Sequence, residues 1–299
     1  MKLLLLGHLC VDRVHAGGTL VRQRWGGIAN AVAALGALAA PGDTILPVCG
    51  VGSAEREGFL GWLGRWSAVD PSGVFPLDGP TNVIDLYDRP GGEAVACAQS
   101  VAPPVPWERI RKYLAADGIL INMVSGSDIT LETLDQIRME IRARETPVHF
   151  DYHNLTTGIS PARERVRRPL EEWRRWAFML QSVQMNEEEA AGLTVERMTE
   201  DQLAGHFLTL GTGGVLITRG AQGATLFASE HKKIIRHDVP CTPVARADTV
   251  FGLGDVFGAA FIHRYLASRD MALAAAFAAQ AAAAAAARAR DPGEWPTPA

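Results

Sequence analysis

The feature that most constrains the fold is the alternation of strand-like apolar runs with helical patterns along the whole chain. Leu3–Leu6 has the length of a buried strand, and Ile28–Ala40 repeats large apolar residues at helical spacing. The alternation continues to a helical pattern over Leu273–Arg290. Parallel strands need long crossover connections, and helices usually supply them. The sequence therefore predicts an α/β fold, with a mostly parallel sheet and helices on both faces.

One segment, Asn82–Ala98, does not fit the alternation. Two strand-like runs flank Arg89–Gly92, a turn-rich stretch that predicts a β hairpin. We expect this hairpin to form a small flap at the edge of the sheet. No linker or repeat divides the chain, so residues 1–299 are predicted to form a single domain. The proline-rich tail, 291–299, is predicted to be flexible.

Composition excludes several classes of protein. The 299 residues are 47% hydrophobic and 21% charged, which is typical of a globular rather than a disordered chain. The formal net charge of −4 argues against a nucleic-acid partner. No Gly-x-x-x-x-Gly-Lys-[Ser/Thr] motif occurs, which excludes a P-loop NTPase. The histidines show no metal-binding spacing.

The sequence also predicts a cytoplasmic protein with no membrane partner. Its four cysteines form no Cys-x-x-Cys pair and suit a reducing compartment. The apolar run within Met1–His8 is too short for a secretory signal. The stretch Met271–Ala287 is mostly alanine, which gains little in lipid, so a packed helix is favoured over a membrane span.

The most informative motif is Gly252-Leu253-Gly254-Asp255, which a helical pattern follows directly. Glycine turns let backbone N–H groups converge, and a helix N-terminus adds positive potential, so the motif predicts an anion site. Asp255 would then accept a proton from a substrate hydroxyl. Two alternatives stay open. An aspartate that only caps a helix is favoured for the motif alone, and a dinucleotide fingerprint is disfavoured because no apolar strand precedes it.

A second motif, Gly26-Gly27-x-x-Asn30, also opens a helix. The Asn30 amide both donates and accepts hydrogen bonds, which suits vicinal hydroxyls, although a solvated asparagine after a glycine turn is an equal alternative. Asp12 follows the first strand. We expect it at the carboxyl end of that strand, where ligands collect in open α/β sheets.

Two further motifs follow predicted strands. Asn186 and Glu189 are three residues apart at a strand-to-helix junction, where their oxygen atoms suit hydrated Mg²⁺ beside phosphates; a solvated acidic helix start is the favoured alternative. Thr218, Gly220 and Gly223 form a strand end with a Gly-x-x-Gly turn that allows close approach of a nucleotide.

Taken in order, these motifs resemble the ribokinase-like PfkB carbohydrate kinase family across nearly the whole chain. The resemblance implies a three-layer α/β/α ribokinase-like fold with a β lid. It also implies Asp255 as the catalytic base, with Gly252, Leu253 and Gly254 as the anion hole.

The resemblance implies further roles as well. Substrate hydroxyls would bind Asp12, Asn30 and the Gly26–Gly27 pair. Asn186 would organise the donor phosphates, and Glu189 would hold Mg²⁺ through water. Thr218, Gly220 and Gly223 would line the ATP side.

The sequence departs from the family in two places. Asp248-Thr249-Val250-Phe251-Gly252 has one residue more than the family pattern, and Leu253 replaces alanine, which leaves the roles of Asp248 and Thr249 open. Arg13–Trp25 has room only for a short turn or hairpin, so the lid, approximately 13–25 and 80–99, is predicted to be reduced. The short spacing is similar to that of plant inositol kinases and ranks polyols among the substrates. A monomer and a homodimer both stay open.

Each of two remaining segments has a purely structural interpretation as well as a functional one. Asp151–Asn154 falls where the family has a segment near the phosphates, but a structural strand end explains it as well. The Arg-rich run Arg163–Arg175 is interleaved with glutamates and predicts a solvated, self-paired helix surface rather than an RNA-binding face.

The motifs together predict an ATP- and Mg²⁺-dependent kinase that phosphorylates a hydroxyl of a small sugar or polyol. A nucleoside kinase and a non-catalytic nucleotide or sugar sensor of the same fold are the alternatives, the sensor because of the extra residue and the short lid. A dinucleotide-dependent oxidoreductase ranks below them.

Overall fold

The computed structural model describes residues 1–88, 94–230, 233–242 and 252–288. The α-helices are α1 (Ile28–Leu38), α2 (Ser53–Leu63), α3 (Trp107–Ile110), α4 (Leu131–Ile141), α5 (Trp173–Ala177), α6 (Glu187–Gly192), α7 (Glu200–Thr209), α8 (Leu253–Ser268) and α9 (Met271–Arg288). The strands are β1 (Lys2–Leu6), β2 (Leu9–Ala16), β3 (Thr19–Gly27), β4 (Thr44–Val51), β5 (Val74–Pro76), β6 (Asn82–Asp88), β7 (Ala94–Ser100), β8 (Gly118–Asn122), β9 (Val148–Asp151), β10 (Thr157–Ile159), β11 (Arg165–Arg167), β12 (Ser182–Asn186), β13 (Gly214–Thr218), β14 (Ala224–Glu230) and β15 (Lys233–Val239).

The central sheet has the strand order β15-β14-β13-β12-β9-β8-β1-β4-β5. Its strands from β13 through β5 run parallel, and β14 and β15 extend one edge in antiparallel pairing. The strand β1 lies between β4 and β8, and Leu3–Leu6 is buried throughout because helices cover both faces. The mostly parallel sheet predicted from the alternation is confirmed.

Alternate residues of β1 belong to two separate apolar cores. Leu4 and Leu6 pack in a core that includes side chains of α4, whereas Leu3 and Leu5 pack in one that includes side chains of α1 and α8. A strand with a core on each face requires helices on each face. The predicted three-layer α/β/α arrangement is therefore confirmed.

A second sheet has the strand order β3-β2-β6-β7, and among the described residues none of its strands pairs with a strand of the central sheet. The hairpin β2–β3 spans the segment 13–25, and β6 joins β2 in parallel. The placement of Asn82–Ala98 as a flap at the edge of the central sheet was wrong. The two strands do form a hairpin, but β6 pairs with β2 and β7 pairs with β6, so the hairpin belongs to the second sheet. The turn 89–93 lies outside the described residues.

The structure corrects the Arg-rich segment Arg163–Arg175 as well. The segment contains strand β11 and, separately, the start of α5, rather than one helix. The predicted self-pairing is seen locally, since Arg175 donates to Glu172. Within the described ranges, no helix is long and apolar enough to cross a membrane. Asp248, Thr249 and the tail 291–299 lie outside those ranges.

Candidate active site

The glycine motif forms the N-terminus of α8, as its pattern predicts. Gly252 has a φ of 83°, the left-handed region that glycine adopts readily, and α8 begins at Leu253. The first backbone N–H groups of a helix have no partner within the helix. The N–H groups of Leu253, Gly254 and Asp255 therefore face the space before the helix and give it positive potential.

Asp255 lies in the first turn of α8 and is held from two other elements. Asn30 of α1 donates its amide Nδ2–H to Oδ2 of Asp255 over 2.7 Å. Asn122, the last residue of β8, donates its Nδ2–H to Oδ1 over 2.7 Å. Two amides thus fix the carboxylate plane next to N–H groups of α8 that have no partner within the helix. Of these residues, sequence reasoning missed Asn122.

The environment of Asp255 moves its pKa toward neutrality. Burial raises the pKa of the carboxyl group, and the hydrogen bonds from Asn122 and Asn30 offset part of that rise because they favour the charged form. A carboxylate with a raised pKa is a stronger base than an ordinary aspartate. The site therefore combines a proton acceptor with donors for an anion.

The Asn122 hydrogen bond gives a prediction for pH dependence. Asn122→Ala removes a donor that stabilises the ionised carboxylate, so the pKa of Asp255 rises further. A base works only when deprotonated, so kcat/KM falls as pH drops through this pKa. We expect the acid limb of the kcat/KM profile to lie above the ordinary range of aspartate in the wild-type protein and to move to higher pH in Asn122→Ala. Profiles of both proteins from pH 4 to 9 check this; superimposable acid limbs would contradict it.

Arg24 of β3 connects the Asp12 carboxylate to this centre. Its guanidinium donates to Oδ1 of Asn30 over 2.6 Å, and its Nε lies 3.4 Å from Oδ2 of Asp12. We expected Asp12 at the carboxyl end of a strand of the central sheet. The structure places it within β2 of the second sheet instead. The chain turns after β1 and starts a second sheet at Leu9, which places Asp12 in that sheet. Burial raises the pKa of Asp12, and the charge of Arg24 opposes the rise.

The glycines Gly26 and Gly27 let these groups approach one another. A Cβ atom on Gly26 would overlap the carboxylate of Asp12, and one on Gly27 would lie 2.5 Å from the backbone oxygen of His8. Gly27 also has a φ of 58°. The structure thus brings Asp12, Asn30, Gly26 and Gly27 together at one side of Asp255, which we call the acceptor side.

On the other side, Asn186 and Glu189 form a capping box at the start of α6. Each side chain accepts from the other residue's backbone N–H, over 2.8 Å to Asn186 Oδ1 and 2.7 Å to Glu189 Oε2. Glu189 is buried rather than solvated, and its Oε1 also accepts from His153 Nδ1 at 2.7 Å and from Arg167 at 3.2 Å.

These contacts test the predicted magnesium role of Glu189. Burial opposes ionisation of Glu189, but the hydrogen bond from His153 and the other donors lower its pKa, so the group is a carboxylate. Both of its oxygen atoms accept protein donors, so direct metal ligation does not fit. In the part of the chain described here, no cluster of three or more His, Cys, Asp or Glu side chains has the arrangement of a metal site.

Asp151 lies between the two sides. Its Oδ1 accepts the backbone N–H of His153, and Gln184 Nε2 lies 3.5 Å from its Oδ2 while donating to the carbonyl of Gly254 over 2.9 Å. Burial raises the pKa of Asp151 to about 7, and the nearby charge of Asp255 contributes to the rise. Asp151, at the end of β9, therefore connects to the α8 turn through Gln184.

A cavity of about 420 Å³ lies on the same side as the capping box. Its lining includes the predicted residues Thr218, Gly220 and Gly223 and the α8 residues Leu253 and Gly254. Phe257 and alanines of α9 make the remaining wall mostly apolar. We call this space the donor cavity.

Comparisons with known proteins agree with this geometry. A pfkB family carbohydrate kinase profile matches residues 162–297, which include Asn186, Glu189 and Asp255. A search of curated proteins found no match. Among solved structures, a pyrophosphate-dependent kinase in the ribokinase family, complexed with a pyrophosphate analog and myo-inositol, has a TM-score of 0.75 and 17% identity, with 96% of this chain and 94% of that chain covered.

The chain has a ribokinase-like fold. Two further structures with this fold are an Arabidopsis thaliana ribokinase complexed with ribose and ATP (TM-score 0.70, 20% identity, 96% and 91% covered) and a Burkholderia thailandensis nucleoside kinase in complex with inosine (TM-score 0.67, 17% identity, 96% and 91% covered). The resemblance to the pfkB family is confirmed by the profile over residues 162–297, and the ribokinase-like fold extends over 96% of the chain. At these identities the structural matches establish the ribokinase-like fold alone.

Proposed function

We propose that the protein is a kinase that transfers the terminal phosphoryl group of ATP to a hydroxyl of a sugar or polyol. One observation supports this most directly. Asp255, held at both oxygens by the amides of Asn30 and Asn122, lies in the first turn of α8 beside backbone N–H groups that have no partner within the helix. A base next to an anion site is what an attacking hydroxyl and a transferring phosphoryl group require.

The proposed step is a single displacement. Each carboxylate oxygen has a further lone pair, and the acceptor hydroxyl hydrogen-bonds to Asp255 through one of them. The hydroxyl oxygen forms a bond to the γ-phosphorus, the bond from that phosphorus to ADP breaks, and the hydroxyl proton moves to Asp255. The N–H groups of Leu253, Gly254 and Asp255 stabilise the charge on the transferring oxygens. Arg24, Asp12 and Asn30 orient the acceptor.

In this proposal magnesium would enter the site bound to ATP. Because the oxygens of Glu189 already accept protein donors, the ion would be held by the phosphates, with water between it and Glu189. No step above depends on it.

The donor cavity supports ATP over pyrophosphate, the donor in some proteins of similar fold. Its walls of Phe257 and small alanines suit a flat aromatic base, whereas pyrophosphate has no apolar part to fill such a space. A nucleoside is the alternative acceptor, and a nucleoside kinase with this fold would use the same donor cavity.

The donor cavity gives a matched pair of variants. Ala282 of α9 lines the cavity, whereas Ala284, two residues on, is exposed and does not. We expect Ala282→Phe to raise KM for ATP by about tenfold or more, because the added ring takes space that the adenine ring needs. A tenfold change corresponds to about 1.4 kcal/mol of binding free energy. Ala284→Phe should leave the KM for ATP unchanged. Steady-state kinetics with ATP check this; equal KM values in both variants would show that the adenine ring does not bind in this cavity.

The function is tested by ADP release from magnesium-ATP across sugars, inositols, other polyols and nucleosides, with Asp255→Asn as the control. Acceptor-dependent ADP release that the control lacks would support the kinase and indicate its acceptor class. Ligand binding without ADP release across the whole panel would favour the non-catalytic sensor. Pyrophosphate in place of ATP serves as the second donor.

A further inference from the structure

In the hairpin β10–β11, Arg165 is partly buried, whereas Arg167 and the apolar residues Val166 and Ile159 are exposed. Val166 is 42% exposed and Ile159 is 47% exposed, while Arg165 on the neighbouring position of β11 is partly buried. A strand ordinarily does the opposite, because burying apolar groups is favourable and burying a guanidinium is not. The partial burial of Arg165 next to exposed apolar residues indicates that its guanidinium serves a group inside the molecule.

Arg165 and Arg167 share one face of the strand, since they are two residues apart. Arg167 has a charged partner, because its Nη1 lies 3.2 Å from Oε1 of Glu189. Arg165 has none of this kind. Its guanidinium donates to the carbonyl oxygen of Val124 over 2.7 Å and to the amide oxygen of Asn154, and no carboxylate of the described chain lies within ion-pair distance.

Arg165 lies on the acceptor side of the site. Its partner Val124 packs against Gly27, where a Cβ atom would meet the Val124 side chain at 3.2 Å. Burial lowers the pKa of Arg165, the negative charges of Asp128 and Asp12 oppose this, and Cys10 is a further neighbour. Cys10 pairs across the sheet with Gly26.

The nearby carboxylates do not neutralise Arg165 directly. Asp128 accepts from the backbone N–H groups of His8, Val124 and Ser125. Asp12 makes its ion pair with Arg24. The guanidinium has five N–H donors, and only two acceptors are described for it, both neutral. A partly buried cation with neutral partners is stabilised when an anion binds to its remaining N–H groups.

We propose that Arg165 is an anion-binding residue on the acceptor side of the site, and that the acceptor carries a carboxylate or a phosphate besides the hydroxyl that is phosphorylated. This inference rests on the proposed function and narrows its acceptor class from neutral sugars and polyols to acidic ones. The planar guanidinium fork suits both anions. A sugar acid and a sugar phosphate are the two sources, and the experiment separates them.

The test compares matched acceptors by calorimetry without donor: gluconate with glucitol, and fructose 6-phosphate with fructose. We expect the wild-type protein to bind one anionic member at least tenfold more tightly than its neutral counterpart. Arg165→Gln should remove that preference, weakening anion binding by about 10- to 100-fold, since a hydrogen bond to a charged group is lost. Arg165→Lys should restore part of it. The pair that shows the preference identifies carboxylate or phosphate.

Arg168→Gln is the control, because Arg168 is an exposed neighbour on the same segment. Its anion binding should match that of the wild-type protein, as should the KM of Arg165→Gln for ATP. A thermal unfolding curve for each variant shows whether it is folded. Equal binding of anionic and neutral members, no binding of either anionic member, or a preference that survives in Arg165→Gln would overturn the proposal.

ADP release with the same acceptors separates the two proposals. Arg165-dependent anion binding without ADP release from any acceptor would refute the kinase and leave the anion site standing. ADP release with neutral acceptors only would refute the anion site and leave the kinase standing.

Discussion

Asp255→Asn is expected to lower kcat by about 10²- to 10⁴-fold, the usual contribution of a general base. The amide of asparagine cannot take up the hydroxyl proton at neutral pH. The substitution keeps the size of the side chain, so α8 and the anion site should remain. Removing a buried carboxylate with a raised pKa also relieves a desolvation cost, so stability should not fall by more than about 1 kcal/mol.

The measurement is kcat with the best acceptor of the panel, together with ATP binding by calorimetry and a thermal unfolding curve. Asp201→Asn is the matched control, because Asp201 also lies in the first turn of a helix but is exposed. It should retain wild-type kcat. An Asp255→Asn protein with full activity would remove the base from the mechanism, and loss of ATP binding would point to a structural role instead.

The central sheet could be predicted from sequence because its strands are buried on both faces. A run such as Leu3–Leu6 has no polar alternation, and only helices on both sides explain it. The second sheet could not be predicted in the same way. Its parallel pairing of β2 with β6 joins residues about seventy positions apart, and no local pattern in either strand specifies that partner.

The residues of the site also differ in whether local sequence could predict them. Gly252, Gly27 and Asp255 carry local signals, because glycine turns at helix starts are visible in sequence. Arg24 and Asn122 reach the site only through tertiary structure. The single sign of Asn122 is that a polar residue ends an otherwise apolar strand, Gly118–Asn122.

The Asn186-x-x-Glu189 spacing shows why one pattern supports two predictions. It is the spacing of a capping box as well as of a phosphate-side motif, and the structure shows the box formed. The burial of Glu189 and its bonds to His153 and Arg167 depend on β9 and β11. Sequence spacing alone could not give these contacts, which argue against direct ligation of a metal by Glu189.

Gly252→Ala is expected to have an effect on activity second only to that of Asp255→Asn. The new Cβ atom would lie 2.6 Å from Cγ of Asn30, and the φ of 83° would be strained for alanine. The Asn30 amide must move, and its hydrogen bond to Asp255 is lost. Because a displacement of about 1 Å in a reacting group costs about 10²-fold in rate, we expect a loss of that size in kcat.

Gly42→Ala separates the clash from the backbone strain. Gly42 has a φ of 89°, but a Cβ atom there would have no neighbour within 4 Å. Both variants should lose about 1 kcal/mol of stability from left-handed strain, measured by urea unfolding, and only Gly252→Ala should lose activity. If both variants kept wild-type kcat, the contact between Gly252 and Asn30 would have no part in positioning Asp255. If both lost activity equally, the loss would follow from stability, and the Gly252 turn would have no special role in the site.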